Sequence, residues 1–194
     1  MVSNNQRLRR IALPDDANEA QAIIKETLFG AVAPFSTQGR EVISASSSAP
    51  CHTYAVIDAL QRSDIAVLLE AYETEWSCLW KGDSAERFAF HAPYLVLLEP
   101  ESDFTQWLLT EGWGKNWGIF LRSYLPLPVV SHHLRKFNQV YDEVQARWLM
   151  FRYYAPNTVK TLLPFLPAQT FIEFTDGLTR VIAEDLDGRQ IVII

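Results

Sequence analysis

The chain has 194 residues, 48% of them hydrophobic and 21% charged, with a formal net charge of −6. That length suits a single domain with its own core, because roughly 70% of the unfolded surface can be buried at this size. The acidic balance argues against nucleic acid as a partner, and no run approaches the roughly 20 apolar residues of a membrane span.

Residues 1–10 are polar and basic with no apolar run behind them, so they do not read as a secretory leader. Two cysteines, Cys51 and Cys78, fit a reducing compartment, and a cytoplasmic location is expected. Residues 8–13 read as an edge strand. Residues 15–29 read as a helix with Ala20, Ile23, Ile24, Thr27 and Leu28 on its apolar stripe, ended by Gly30. Pro34, Gly39, Pro50 and the serine run 44–48 mark a long loop. Residues 1–51 are therefore expected as an appendage, and residues 52–194 as the α/β core.

Within that core, residues 53–57 form a strand closed by Asp58. Ser63 or Asp64 then caps a helix carrying Ile65, Leu68, Leu69 and Tyr72. Residues 76–80 are the next strand, where Cys78 reads as a buried, inert thiol between Trp76 and Trp80. Residues 85–90 read as a short helix. The apolar run 94–98 stops at Glu99-Pro100. Ser102 and Asp103 start a helix, Gly112 ends it in a left-handed conformation, and residues 117–121 make a second buried strand. Strands apolar on both faces read as members of a largely parallel or mixed sheet with helices on both faces.

Beyond Arg122-Ser123, Pro126 and Pro128 introduce a helix with Val130, Leu134 and Phe137 on one face. Val140 and Tyr141 lead a strand, residues 142–147 turn, and residues 148–154 return. Pro156 starts another helix, and residues 167–174 a further turn or two. Residues 179–184 and 189–193 form a C-terminal β-hairpin around Asp187-Gly188.

Candidate chemistry is sparse. The glycines at 112, 114 and 118 follow a helix and precede a strand, the reverse of a dinucleotide loop, so they read as a helix stop with close packing. His132 and His133 are adjacent and cannot form an i, i+4 metal pair, and two cysteines without nearby histidines make no zinc site. Asp58, Glu99 and Arg122 each stand at the carboxyl end of a predicted strand. In a parallel sheet they would share the edge where such folds place ligands. Their reading is either capping and ion pairing or a small enzyme's carboxylate site. Arg152, between Phe151 and Tyr153, is expected to pair with Asp142 or Glu143 across the hairpin. The terminal Ile191, Val192, Ile193 and Ile194 read either as a buried strand or as an edge that pairs with another chain.

An ordered set of segments carries a resemblance. It begins with Tyr54-Ala55-Val56-Ile57-Asp58, Pro93-Tyr94-Leu95-Val96, Leu98-Glu99-Pro100-Glu101-Ser102 and Trp107-Leu108-Leu109. It continues through Gly112-Trp113-Gly114, Trp117 to Ser123, His133-Leu134-Arg135-Lys136-Phe137 and Phe151-Arg152-Tyr153-Tyr154-Ala155-Pro156. From about Tyr54 to about Phe174 the chain resembles the domain-of-unknown-function four-one-two-three family, adaptor chaperones of bacterial type VI secretion. The resemblance implies a non-enzymatic role in which the protein binds an effector (a toxin) and helps load it onto a spike protein of the valine-glycine-repeat class. It implies no cofactor, metal or ATP. Ile191 to Ile194, Arg122 and Arg152 are the partner-binding candidates. The net charge of −6 favours a basic patch on the partner. A toxin-neutralising immunity protein and a small α/β enzyme using Asp58 and Glu99 with Arg122 are the alternatives.

Overall fold

A computed structural model describes residues 7–32, 50–82, 87–185 and 188–194. Its frame is a seven-stranded sheet in the order β1 (Arg9–Ala12), β9 (Gln190–Ile193), β8 (Arg180–Glu184), β5 (Gly118–Ser123), β2 (His52–Asp58), β4 (Pro93–Leu98), β3 (Trp76–Cys78). Every neighbouring pair is antiparallel, which corrects the expected parallel or mixed sheet. The strand–helix–strand unit of β4, helix and β5 does exist, and its two strands run the same way. They are not neighbours, because β2 lies between them and is antiparallel to both.

The all-apolar strands have another cause than parallel pairing. Side chains alternate across a strand, and helices cover both faces of this sheet. Ala55, Ile57, Val96, Phe120, Ile182 and Ile191 point into one core. It is covered by α1 (Ala17–Phe29), α2 (Ile65–Ala71) and α3 (Asp103–Trp107) through Leu28, Leu69 and Phe104. Tyr54, Val56, Leu95, Leu121, Val181 and Val192 point into the other. There α4 (Leu127–Arg135), α5 (Pro156–Thr161) and α6 (Ala168–Thr175) contribute Leu134, Val159 and Phe174.

Local chemistry places the helix starts. Asp16 caps α1 by accepting from the N–H groups of Asn18 and Glu19, and Ser102 caps α3 by accepting from Thr105 N–H. Prolines stand in the first turns of α4 and α5. α3 runs on through a π-helical turn, Leu108–Gly112. The expected left-handed stop falls at Gly114 (φ 83°), not at Gly112. Gly112 is small for packing reasons: a Cβ there would lie 2.7 Å from Trp117.

The segment before residue 52, expected as an appendage, contributes to the same sheet and core. β1 pairs with β9 along four residues, and α1 buries Ile24 and Leu28. Thr53 Oγ1 donates to the Leu28 carbonyl, and Arg7 donates to the Leu166 carbonyl at 2.7 Å while lying over the Phe171 ring. The serine run 44–48 lies outside the described residues, as does part of the short helix expected over 85–90, where Ala89–His91 forms a 3-10 turn.

β6 (Gln139–Asp142) and β7 (Arg147–Met150) form a separate two-stranded hairpin. The second strand stops at Met150 rather than continuing to 154. Phe151 N–H closes the hairpin on the Asn138 carbonyl, and Tyr153 and Tyr154 then turn into the second core. Among the described residues no helix is long and apolar enough to cross a membrane.

Leu28→Ala separates an integral α1 from an appended one. Deleting a fully buried leucine side chain is expected to cost about 2–5 kcal/mol in urea unfolding. A change below about 0.5 kcal/mol would mean that α1 packs on nothing essential.

Candidate functional site

The antiparallel sheet separates the three residues expected to share an edge. Asp58 closes β2 opposite Pro93, whereas Arg122 lies opposite Thr53 near the other end of β2. Five residues of strand put them roughly 16 Å apart. Glu99 follows Leu98, which also pairs with Thr53, so it belongs to the Arg122 end. It is exposed, and its backbone carbonyl accepts from Ser102. No carboxylate pair with a shared arginine is assembled.

Arg122 is only 2% exposed. Its guanidinium donates to the carbonyls of Gly30 (3.0 Å) and Cys51 (3.4 Å), which lie on either side of residues 31–50 in the chain. Burial lowers its pKa. The side chain thus ties the end of α1 and the start of β2 to the centre of the sheet, and it offers no surface to a partner.

Arg152 does not reach Asp142 or Glu143. It pairs with Asp58, whose other carboxylate oxygen accepts from Leu60 N–H. Asp142 instead caps its own turn by accepting from Val144 and Gln145. Asp58 is buried while Arg152 is partly exposed, so the pair ties the chain after the hairpin to the end of the central strand. Ile191, Val192 and Ile193 are buried, and β9 has bonded strands on both sides. Ile194 exchanges two backbone hydrogen bonds with Val181. The terminal strand presents no free edge. The described sheet edges are β1 and β3.

Residues 112–118 form a tight loop held from the C-terminal hairpin. Glu184, at the end of β8, accepts from the backbone N–H groups of Gly114 and Asn116 (the latter at 2.5 Å). Trp113 Nε1 donates to the Gly188 carbonyl at 2.8 Å. Burial pushes the Glu184 carboxyl up to about 7, against the opposite pull of those two N–H groups and of Lys160. The loop is a packed structural joint with no room for a phosphate, and Gly118 lies so close to the Val56 carbonyl that any side chain would collide. Sequence reading did not single out Glu184. A lone acid at the end of an apolar strand was its one available signal.

A more open feature lies beside β3. A groove of about 640 Å³ runs between Leu79 and Trp80 on one side and the β6–β7 hairpin on the other. Tyr141 and Trp148 are directly paired across the hairpin, with ring centroids 5.3 Å apart in an edge-to-face arrangement. Trp148 and Met150 line the groove, yet Trp148 is 65% exposed and Tyr141 50%. Phe88 forms part of the opposite rim and is half exposed. The hairpin is anchored at its root. Asn138 donates to the Leu79 carbonyl at 2.8 Å, and Arg135 donates to the Cys78 carbonyl at 2.7 Å. Lys81, Arg135 and Lys136 line the groove, and no acid does so among the described residues.

The remaining candidates are packing groups. His133 Nε2 lies 2.9 Å from the Phe174 carbonyl, and His132 is exposed. Cys78 is half-buried, and burial pushes its thiol up. Among the described residues no group of three or more His, Cys, Asp or Glu side chains is placed to hold a metal ion.

Comparison with known proteins adds one match: the family model described as Domain of unknown function (DUF4123) covers residues 53–171. No curated protein and no solved structure matches the chain. The matched span includes β2, β4, β5, the hairpin and its groove, but neither β1 nor the residue that holds the glycine loop, Glu184.

Two measurements test these assignments. Native Glu184 keeps its proton up to about pH 7, whereas an unfolded glutamate releases it near 4.5, so its contribution to stability falls as pH rises through that window. Wild-type unfolding free energy is expected to drop more steeply than that of Glu184→Gln between those pH values, and equal slopes would contradict the assignment. Asp58→Asn keeps an acceptor for Leu60 but loses the charged bond to Arg152. About 1.5–3 kcal/mol of destabilisation is expected from chemical denaturation, with no effect expected if the pair is incidental.

Proposed function

Because the chain belongs to the DUF4123 family, matched over residues 53–171, we propose that it is a non-enzymatic adaptor of a type VI secretion system. It binds a cognate effector in the cytoplasm and helps to load it onto a spike protein of the valine-glycine-repeat class. The carrying observation is the β6–β7 hairpin. It stands apart from the main sheet and leaves Val140, Tyr141, Trp148 and Met150 each more than 40% exposed. Singly scattered apolar residues on a surface need no explanation, but a cluster of this kind beside a groove marks a site for another chain. Binding is the whole mechanism. The effector covers the exposed aromatic face, and the adaptor keeps that effector segment out of water until the spike receives it.

An enzyme built on Asp58, Glu99 and Arg122 would need the three within reach of one substrate. Their separation along β2 and the burial of Arg122 weigh against that alternative. The test is capture of the full-length protein with its bound chains from the native cytoplasm, identified by mass spectrometry. A spike protein together with a large effector is the expected result. A toxin domain alone would replace the adaptor reading with the immunity one. Retention of a small molecule and no protein would overturn both.

A further inference from the structure

The groove beside the hairpin has a chemical character opposite to that of the chain as a whole. With a net charge of −6, the protein would be expected to attract a basic surface. Yet the described lining of the groove carries Lys81, Arg135 and Lys136, together with the apolar surfaces of Trp80, Phe88 and Trp148. Lys81, Arg135 and Lys136 beside these aromatic faces favour carboxylates next to apolar side chains. Two N–H groups of lining residues, Trp80 Nε1 and Arg135 Nε, are buried and have no hydrogen-bond partner among the described residues.

Shape narrows the occupant further. The space, about 640 Å³, is large enough for a few side chains. One wall is the face of a two-stranded sheet that carries Gln139, Trp148 and Met150, and among the described residues its strands pair only with each other. The edge of such a sheet can pair with an extended backbone while the flanking surface takes alternate side chains. A segment of polypeptide meets all three conditions.

We propose that this groove is the effector-docking site of the adaptor and that its occupant is an extended peptide segment with large apolar residues flanked by Asp or Glu. The proposal rests on the adaptor reading for the identity of the partner, and on the groove alone for the chemistry of the segment. Trp148 supplies the apolar contact. Lys81 and Lys136 supply the charge selection, and Arg135 holds the floor through its bond to the Cys78 carbonyl.

Two arms test the proposal on the full-length protein, with Trp148→Ala and the double variant Lys81→Glu/Lys136→Glu. All three side chains belong to exposed residues, so far-UV circular dichroism and the urea midpoint are expected to match wild type. In the first arm a displayed library of random short peptides is selected on wild type. Enriched peptides are expected to combine aromatic or aliphatic residues with Asp or Glu. They should bind either variant about tenfold or more weakly, with the charge contribution shrinking as salt is raised. Enrichment of basic peptides, binding indifferent to both variants, or no enrichment would each overturn the proposal. In the second arm effector capture is compared between wild type and the variants. Loss in both variants supports the groove. Undiminished capture overturns the groove and leaves the adaptor reading standing. Absence of effector from the wild-type capture removes the adaptor reading, while the peptide selection still decides the chemistry of the groove.

Discussion

The rest of the structure depends on β2 being flanked on both sides by antiparallel partners while helices cover both of its faces. Pairing with β4 along six residues and with β5 along another six leaves the backbone of β2 almost fully bonded. Its alternating side chains supply Ala55 and Ile57 to one core and Tyr54 and Val56 to the other. The close approach to β5 explains a glycine at position 118, where the Val56 carbonyl leaves no space for a Cβ. It also explains why the polar residues at the two ends of β2 are spent on structure. Asp58 holds Arg152 at one end, and Arg122 gathers the carbonyls of Gly30 and Cys51 at the other.

The family-matched span is therefore completed by residues outside it. β1 covers the outer side of β9, α1 closes one core, and Glu184 gathers the backbone of the 112–118 loop. A buried carboxyl group bonded to two N–H groups is a costly element unless it organises something, and here it fixes a loop between α3 and β5 that carries two tryptophans. These outer segments close the frame at one end of the sheet. The hairpin, beside β3, projects from the other end and carries the exposed aromatic residues.

Much of the fold was legible in the sequence. The first helix followed from its apolar stripe, the helix start at Ser102 from a side chain able to accept backbone N–H bonds, and the C-terminal hairpin from the turn at Gly188 between apolar runs. Strand direction was not legible. Residues of β2, β4 and β5 are apolar on both faces whether their neighbours run parallel or antiparallel, because that pattern records only the helices above and below. The error propagated to the candidate site, since placing Asp58 with Glu99 and Arg122 required parallel strands. Arg152 was assigned to the wrong acid because sequence proximity favoured Asp142, whereas the chain leaves the hairpin at Phe151 and delivers Arg152 to the end of β2. The groove itself had a faint trace. Val140, Tyr141, Trp148, Leu149 and Met150 put apolar residues on both faces of a two-stranded hairpin, and such a hairpin cannot bury both by itself.

In the proposed division of labour, the seven-stranded sheet is a rigid platform and the hairpin groove is the surface that meets the effector. The most direct test is site-specific photo-crosslinking in the native cell. The crosslinker is placed at position 148 on the hairpin and, separately, at position 165, an exposed phenylalanine just beyond α5. Crosslinks to the effector from position 148 and none from position 165 are expected. Effector crosslinks from 165 with none from 148 would contradict docking at the hairpin groove.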